Sequence, residues 1–341
     1  MLVANAQNKT VVTNASALLL RISINEEPNL ADFSFANAVV HGLSINPKRI
    51  GSKWLYDAEG ARLFEDIVAS PNYYIPRAEA TILRACSAKI ADLLGPRGSL
   101  LELGSGSSTK VRILLDAMKS LRCYLPVEIS ELQLLEAAEA LRRDYPSVLI
   151  HPILADYMKD FELPPHVRKG KLLAFFPGST LGNLLPHNSV SFLRRMSLLL
   201  GPGSFFLVGI DLKKDEVALL RAYNDPDGPI WRFNLNILER INRELGCNLD
   251  RRNFRHQAIY NSNAGRIEAA IFPVCDQEIT IGSHRFTLLM GEPIVLEYSH
   301  KYTVEDFQAL AREAGWNPCD AWVDSENLFS VHLLSNRNIS V

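Results

Sequence analysis

Residues 100–110 read LLELGSGSSTK: an apolar run ends at Glu102, Gly104 and Gly106 follow one residue apart, and small polar residues open an amphipathic stretch bearing Lys110. Glycines at such a turn let the chain bend tightly and let a ligand approach the backbone. The spacing excludes a Walker-type phosphate loop, because Lys110 is followed by Val111 and the two glycines are too close. It also falls short of the dinucleotide fingerprint G-x-G-x-x-G, since Thr109 occupies the third position, and Glu102 would repel a pyrophosphate. An acid there suits a ligand with a cationic amine, as S-adenosylmethionine has, and E/D-x-G-x-G is the usual loop for it. Glu128, closing PVEIS, can accept from ribose hydroxyls. Asp156 in ILADY can accept from an adenine amino group, and Tyr157 can stack on the ring. Each piece alone could be a turn with exposed acids. All three in register favour the sulfonium cofactor, with NAD as the competitor.

These residues need a scaffold that brings loops together. Strands are predicted at 99–104, 123–129, 147–153, 171–179 and 204–211, with helices at 108–119, 131–143 and 187–199 between them. Apolar strands alternating with amphipathic helices predict an α/β fold, a doubly wound parallel sheet that binds ligands at the carboxyl ends of its strands. The positions to inspect are therefore 102–110, 128–130, 155–157, 178–183 and 211. Upstream, residues 1–30 are weakly patterned and read as a partly ordered leader, and 31–94 reads as helical, contributing to a substrate domain. Residues 95–211 and 301–341 would form the main domain. Between them, 212–300 reads as an inserted α+β region with two antiparallel strands joined by a turn at Asn261–Gly265.

The 341 residues carry a net charge of −2 with 47% hydrophobic and 22% charged side chains, which excludes nucleic-acid binding through a basic surface. No apolar run is long enough to span a bilayer, and no secretory signal opens the chain. The five cysteines are dispersed, which points to reduced thiols in a cytoplasm, and neither they nor the eight histidines form a metal motif.

More specific stretches are WLYDAEGARLFEDIVASPNYYIPRAEATIL (54–83), LELGSGSSTKVRILLDA (101–117), FFPGSTLGNLLP (175–186), GIDLKKD…LLRAYND (209–225) and VLEYSHKYT (295–303). Together, over about residues 35–335, the chain resembles the ergothioneine-pathway histidine Nα-methyltransferases. The resemblance implies a Rossmann-like class I methyltransferase sheet with a second α+β substrate-binding domain. It implies a monomeric enzyme that trimethylates the α-amino group of L-histidine to hercynine with S-adenosylmethionine, releases S-adenosylhomocysteine and uses no metal. By position it implies that Asn183 holds the backbone end of the substrate, that Tyr73 and Tyr223 bind its carboxylate, and that Tyr56 lies near the accepting amine. Glu297 and Ser299 would hydrogen-bond the imidazole. Gly104, Lys110, Glu128, Asp156 and Tyr157 match its cofactor positions, Lys110 near the cofactor's carboxylate; from the loop itself, Gly106 and, at the amine, Glu102 would join them.

The chemistry of these residue types agrees. Methyl transfer to an amine needs a neutral nucleophile and an exact approach more than a strong base. A buried carboxylate beside the substrate ring makes sense only against a donor such as an imidazole N–H. Glu297 and Ser299, two apart on a strand, would face the same way. Two departures bear on the substrate: Pro177 precedes the glycine in FFPGST, and Ala269 stands where a larger side chain is expected near the imidazole pocket. Alternatives are therefore another amino acid such as tryptophan or tyrosine, a histidine derivative as in the ovothiol branch, or a cofactor-binding protein without turnover.

Overall fold

The computed structural model describes residues 34–106, 108–226 and 228–336; the leader at 1–30 lies outside the described residues. The chain opens with α1 (Phe35–Ser44), a two-residue strand β1 (Lys48–Arg49), α2 (Ala58–Ala69) and α3 (Ile75–Leu94). The alternating section follows: β2 (Ser99–Leu103), α4 (Thr109–Ala117), β3 (Cys123–Glu128), α5 (Glu131–Asp144), β4 (Leu149–Ile150), β5 (Ile153–Leu154), β6 (Leu172–Phe176), α6 (Pro186–Leu200) and β7 (Phe205–Asp211). Then come α7 (Glu216–Tyr223), α8 (Pro229–Leu245), β8 (Phe254–Asn261), β9 (Arg266–Pro273), β10 (Gln277–Ile281), β11 (His284–Leu288) and β12 (Ile294–His300). The described chain ends with α9 (Val304–Glu313), β13 (Asn317–Val323) and β14 (Phe329–Ser335).

Eight strands form the larger sheet in the order β13-β14-β7-β6-β2-β3-β4, with β5 also on β3. Strands β2 to β7 run parallel, and β14 enters antiparallel to β7. The order reverses beside β2, between β3 and β6, so the crevice lies at the carboxyl ends of these three strands. The fold is the Rossmann-like α/β sheet expected from the sequence. One strand differs: 147–153 is broken into β4 and β5, because Pro152 cannot donate to the ladder.

The smaller sheet has the order β1-β12-β9-β8, and β10 and β11 form a separate hairpin. Within 34–94 the helices divide between the two sheets. Val39 and Leu43 of α1 and Leu63 and Ile67 of α2 pack with Phe233 and Ile237 of α8 and with Ile271 and Leu296 of the smaller sheet. By contrast, Ile82, Leu83, Cys86 and Ile90 of α3 pack on Leu100, Phe175, Leu207 and Val331 of the larger sheet. Asp57 fastens the first group: it caps α2 by accepting from Gly60 N at 2.8 Å and also accepts from Asn236 and Arg243 of α8. The sheets meet where the end of β7 reaches the end of β12; Tyr302 N donates to Asp211 O at 3.3 Å and Lys213 N to Tyr302 O at 2.9 Å.

Candidate active site

At the crevice, Gly104 and Gly106 both take positive φ, +72° and +44°. A side chain on Gly104 would meet the Tyr157 ring at 3.4 Å, whereas one on Gly106 would meet nothing. The loop thus turns one residue against Tyr157 and leaves the other facing open space. Ser105 Oγ is buried with no hydrogen-bond partner among the described residues. A buried unpaired hydroxyl is costly, and a ligand that hydrogen-bonds it would remove that cost.

The three acids of the cofactor reading gather here with different freedom. Glu128 accepts from Ile129 N at 2.8 Å and Ser130 N at 3.3 Å with one oxygen, and from Gly106 N at 3.3 Å with the other. Asp156 accepts from Met158 N at 2.9 Å, and Lys53 Nζ stands 4.0 Å from its second oxygen. Arg195 holds Tyr157 in place by donating to its carbonyl at 2.5 Å, and the Tyr157 ring packs edge-on against Phe176 at 5.4 Å. Glu102 is only 2% exposed and accepts from the Tyr124 hydroxyl. Burial pushes its carboxyl up to about 8, against the pull of Tyr124 and Lys110.

Lys110 does not reach into free space: its ammonium pairs with Glu79 at 2.6 Å. Glu79, on α3, has no exposed surface and accepts from Gly178 N at 3.1 and 3.0 Å. Both the β2 loop and the β6 loop therefore hang on this one carboxylate. Glu79 was not singled out in the sequence, yet a signal was present: it interrupts the apolar stripe Ile75–Ala78–Ile82–Leu83 of a buried helix face.

Beyond Gly178 the chain holds Ser179 at φ +60° and enters a short 3₁₀ turn, Thr180–Asn183. Gly182 lies so close to β12 that a side chain would sit 2.7 Å from His300 O, and its own carbonyl bonds His300 Nδ1 at 2.9 Å. This contact sets Asn183 beside β12, where its amide makes no hydrogen bond within the described residues.

Strand β12 carries Glu297 and Ser299, two of the residues expected at the substrate. A register irregularity between Val295 and Glu297 sets Glu297 opposite Ala269, and Ser299 follows opposite Ile267. Glu297 makes no hydrogen bond or ion pair within the described residues, and burial, offset by Lys301, raises its carboxyl to about 7. Ser299 Oγ lies 3.1 Å from Tyr223 Oη. Tyr73 packs edge-on against Tyr223 with ring centroids 6.1 Å apart. Tyr56 rests on Phe64 and Phe233 at 5.3 and 5.2 Å and is 46% exposed in the cleft. Its hydroxyl is held well above the usual phenol range, first by the surrounding protein and then by Glu297, Tyr73, Tyr157 and Tyr223. Tyr56 thus feels Glu297, Tyr73 and Tyr223 of one expected group and Tyr157 of the other.

Beneath the cleft lies a cluster of which sequence inspection reached Tyr223, Ser299 and position 211 but neither lysine. Lys301 donates to Asp211 Oδ2 at 2.5 Å, Ser299 Oγ at 2.8 Å and Tyr223 Oη at 2.9 Å. Lys214 donates to the other Asp211 oxygen and to Tyr74 Oη at 2.5 Å, while Tyr74 donates to Asp211 at 2.7 Å. Burial would raise the Asp211 carboxyl, but Lys301 and Lys214 hold it below the usual range. Burial brings Lys214 down to about 8. Lys301 continues the Glu297–Ser299 alternation, which was the available signal.

Among the described residues, no group of three or more His, Cys, Asp or Glu side chains could hold a metal ion, and no helix is long and apolar enough to cross a membrane. A family model described as "Histidine-specific methyltransferase, SAM-dependent" matches residues 35–336. The chain is 38% identical over 301 residues to a histidine N-alpha-methyltransferase of Mycobacterium tuberculosis, covering 86% of this chain and 92% of that protein. It is 28% identical over 309 residues to ergothioneine biosynthesis protein 1 of Neurospora crassa, covering 86% of this chain and 34% of that protein. A 4-dimethylallyltryptophan N-methyltransferase of Claviceps purpurea is 25% identical over 328 residues, covering 88% and 94%.

Proposed function

The chain belongs to the S-adenosylmethionine-dependent, histidine-specific methyltransferases, and from that membership and the geometry of the cleft we propose that it methylates the α-amino nitrogen of L-histidine to the trimethyl betaine for ergothioneine synthesis. When bound, S-adenosylmethionine supplies a methyl group made electrophilic by its sulfonium. The unpaired Ser105 hydroxyl and the open face at Gly106 fit such a ligand. In this reading Glu128 takes the ribose, Asp156 and Tyr157 the adenine, and Lys110 the carboxylate, while Glu102 shapes the loop end near the amine.

On the substrate side, the observation that carries the reading is Glu297. A half-buried carboxylate that makes no hydrogen bond or ion pair within the described residues is best satisfied by a donor from the ligand, and a ring N–H is such a donor. Ser299 lies on the same strand face to contact the ring. Tyr73, Tyr223 and Asn183 hold the backbone end of the amino acid without adding charge. The Tyr56 hydroxyl, kept protonated, offers a lone pair to an amine N–H and so helps aim the nitrogen's free electron pair. The exposed side of Tyr56 gives the lost proton a route to solvent. The smaller sheet with α1, α2 and α8 serves as the substrate-binding part. A reducing compartment such as the cytoplasm fits the free cysteines, and the monomer is part of the same proposal.

Purified protein with S-adenosylmethionine and each of the twenty amino acids, followed by mass spectrometry, tests the reading. Trimethylated histidine is expected. Product from tryptophan or tyrosine alone would retain the class and reject the substrate. Ala269, facing Glu297 across the strand pair, is the feature that favours that second reading, because it leaves the pocket wider. A methyl group found on the ring instead of the α-nitrogen would place the chain in a different branch.

A further inference from the structure

Lys301 has no exposed surface, and the proposed function leaves it without a role. Burying an ammonium is expensive, and a methionine could occupy similar space without that cost. Its three protons meet three acceptors: Asp211 Oδ2, Ser299 Oγ and Tyr223 Oη. A lysine can only donate, so both hydroxyl oxygens act as acceptors toward it and each keeps its own hydrogen. Tyr223 and Ser299 lie 3.1 Å apart, and their mutual contact uses one of those two hydrogens. The other must leave the triangle. Asp211 does not take it: its oxygens accept from Lys301, Lys214 and Tyr74, and neither Tyr223 nor Ser299 bonds it. The remaining side is the one on which Tyr73, itself within hydrogen-bonding reach of Tyr223, and Glu297 lie.

We propose that Lys301 is the positioning residue of the amino-acid subsite: by donating to both Tyr223 and Ser299 it turns one of their hydroxyl hydrogens into the cleft as a polarised donor for the substrate's carboxylate. The inference rests on the histidine reading above. An ammonium hydrogen-bonded to the back of a hydroxyl strengthens that hydroxyl as a donor in a dry site. The ligand group that gains most is one that only accepts and carries negative charge. Asp211, held by Lys214 from the other side, fixes the ammonium so that the direction is set before any ligand arrives.

Calorimetry with S-adenosylhomocysteine present compares histidine with histamine, which lacks the carboxylate. In Lys301→Met the affinity for histidine is expected to fall about tenfold or more, the scale of one charge-assisted hydrogen bond. Histamine and cofactor affinities are expected to stay nearly unchanged, so the preference for histidine over histamine collapses. A merely structural role would weaken both amines together; equal losses, or an unchanged histidine affinity, overturn the proposal. If the methionine variant does not unfold cooperatively, Lys301→Gln, which retains N–H donors without charge, is measured in the same way, with a smaller collapse of the same ratio expected. Absence of histidine binding in the wild type would instead overturn the functional reading on which the proposal stands.

Discussion

Lys301 Nζ and Asp211 Oδ2 stand 2.5 Å apart where the end of the smaller sheet meets the end of the larger one, and neither side chain has any exposed surface. Asp211 also holds Lys214, so one carboxylate serves two ammonium groups, and the two partners are not equivalent.

Asp211→Asn would leave two buried cations without a counter-ion, a loss of about 3–5 kcal/mol. Lys301→Met would leave Asp211 paired with Lys214 and remove hydrogen bonds to a charged group, about 1.5–3 kcal/mol. Urea unfolding of both variants checks the order; equal losses would show that Lys214 does not share the load.

Glu297 gives a pH signature. With its carboxyl raised to about 7 by burial, the group gains its charge, and with it its full strength as an acceptor, as pH rises through that value. Histidine kcat/KM should therefore rise with an inflection near 7. Glu297→Gln should lose that inflection and fall about 10²-fold or more, the scale of a site left with an unpaired polar group. An inflection that persists in the glutamine variant would assign it to the substrate's own ring.

Gly182 lies against β12 with no room for a methyl group. Gly182→Ala must push the Asn183 turn away from His300, at a stability cost of roughly 1–3 kcal/mol. The KM for histidine should rise while the dissociation constant for S-adenosylhomocysteine holds. Titration of both ligands separates this outcome from general unfolding, which would weaken both.

Glu79→Gln keeps the shape but removes the charge that pairs with Lys110 and accepts from Gly178 N. Because it serves both loops, affinities for the methyl donor and for histidine should both weaken. Loss of only one would show that the loops are supported separately.

Much of this architecture could be read along the chain. The alternation from Ser99 to Asp211 gave the parallel sheet because apolar periodicity is a local property. Glu102, Glu128 and Asp156 could be placed at or just beyond strand ends because the apolar runs mark where the strands stop. The strand at 147–153 was overcounted, since Pro152 interrupts a run of otherwise suitable residues. What could not be read was pairing between distant segments: Glu79 with Lys110 and Gly178, or Lys301 with Asp211 and Tyr223. The division of the first helices had the same cause. An amphipathic stripe states that a helix is covered on one face; it does not state by which sheet. At Glu297 the type of residue was legible, but its lack of any hydrogen-bond or ion-pair partner within the described residues and its placement opposite Ala269 required the register of β9 and β12.

Glu79 has a consequence for how the two ligands are bound. A ligand that draws Lys110 toward its own carboxylate changes the charge felt by Glu79 and so the grip of Glu79 on Gly178, at the start of the turn that bears Asn183. Affinities linked in this way are reciprocal: whatever factor the methyl donor adds to the binding of the amino acid, the amino acid returns to the methyl donor. With Lys110 and Asn183 in their proposed roles, occupancy of either half of the cleft would be reported to the other through a single buried counter-ion.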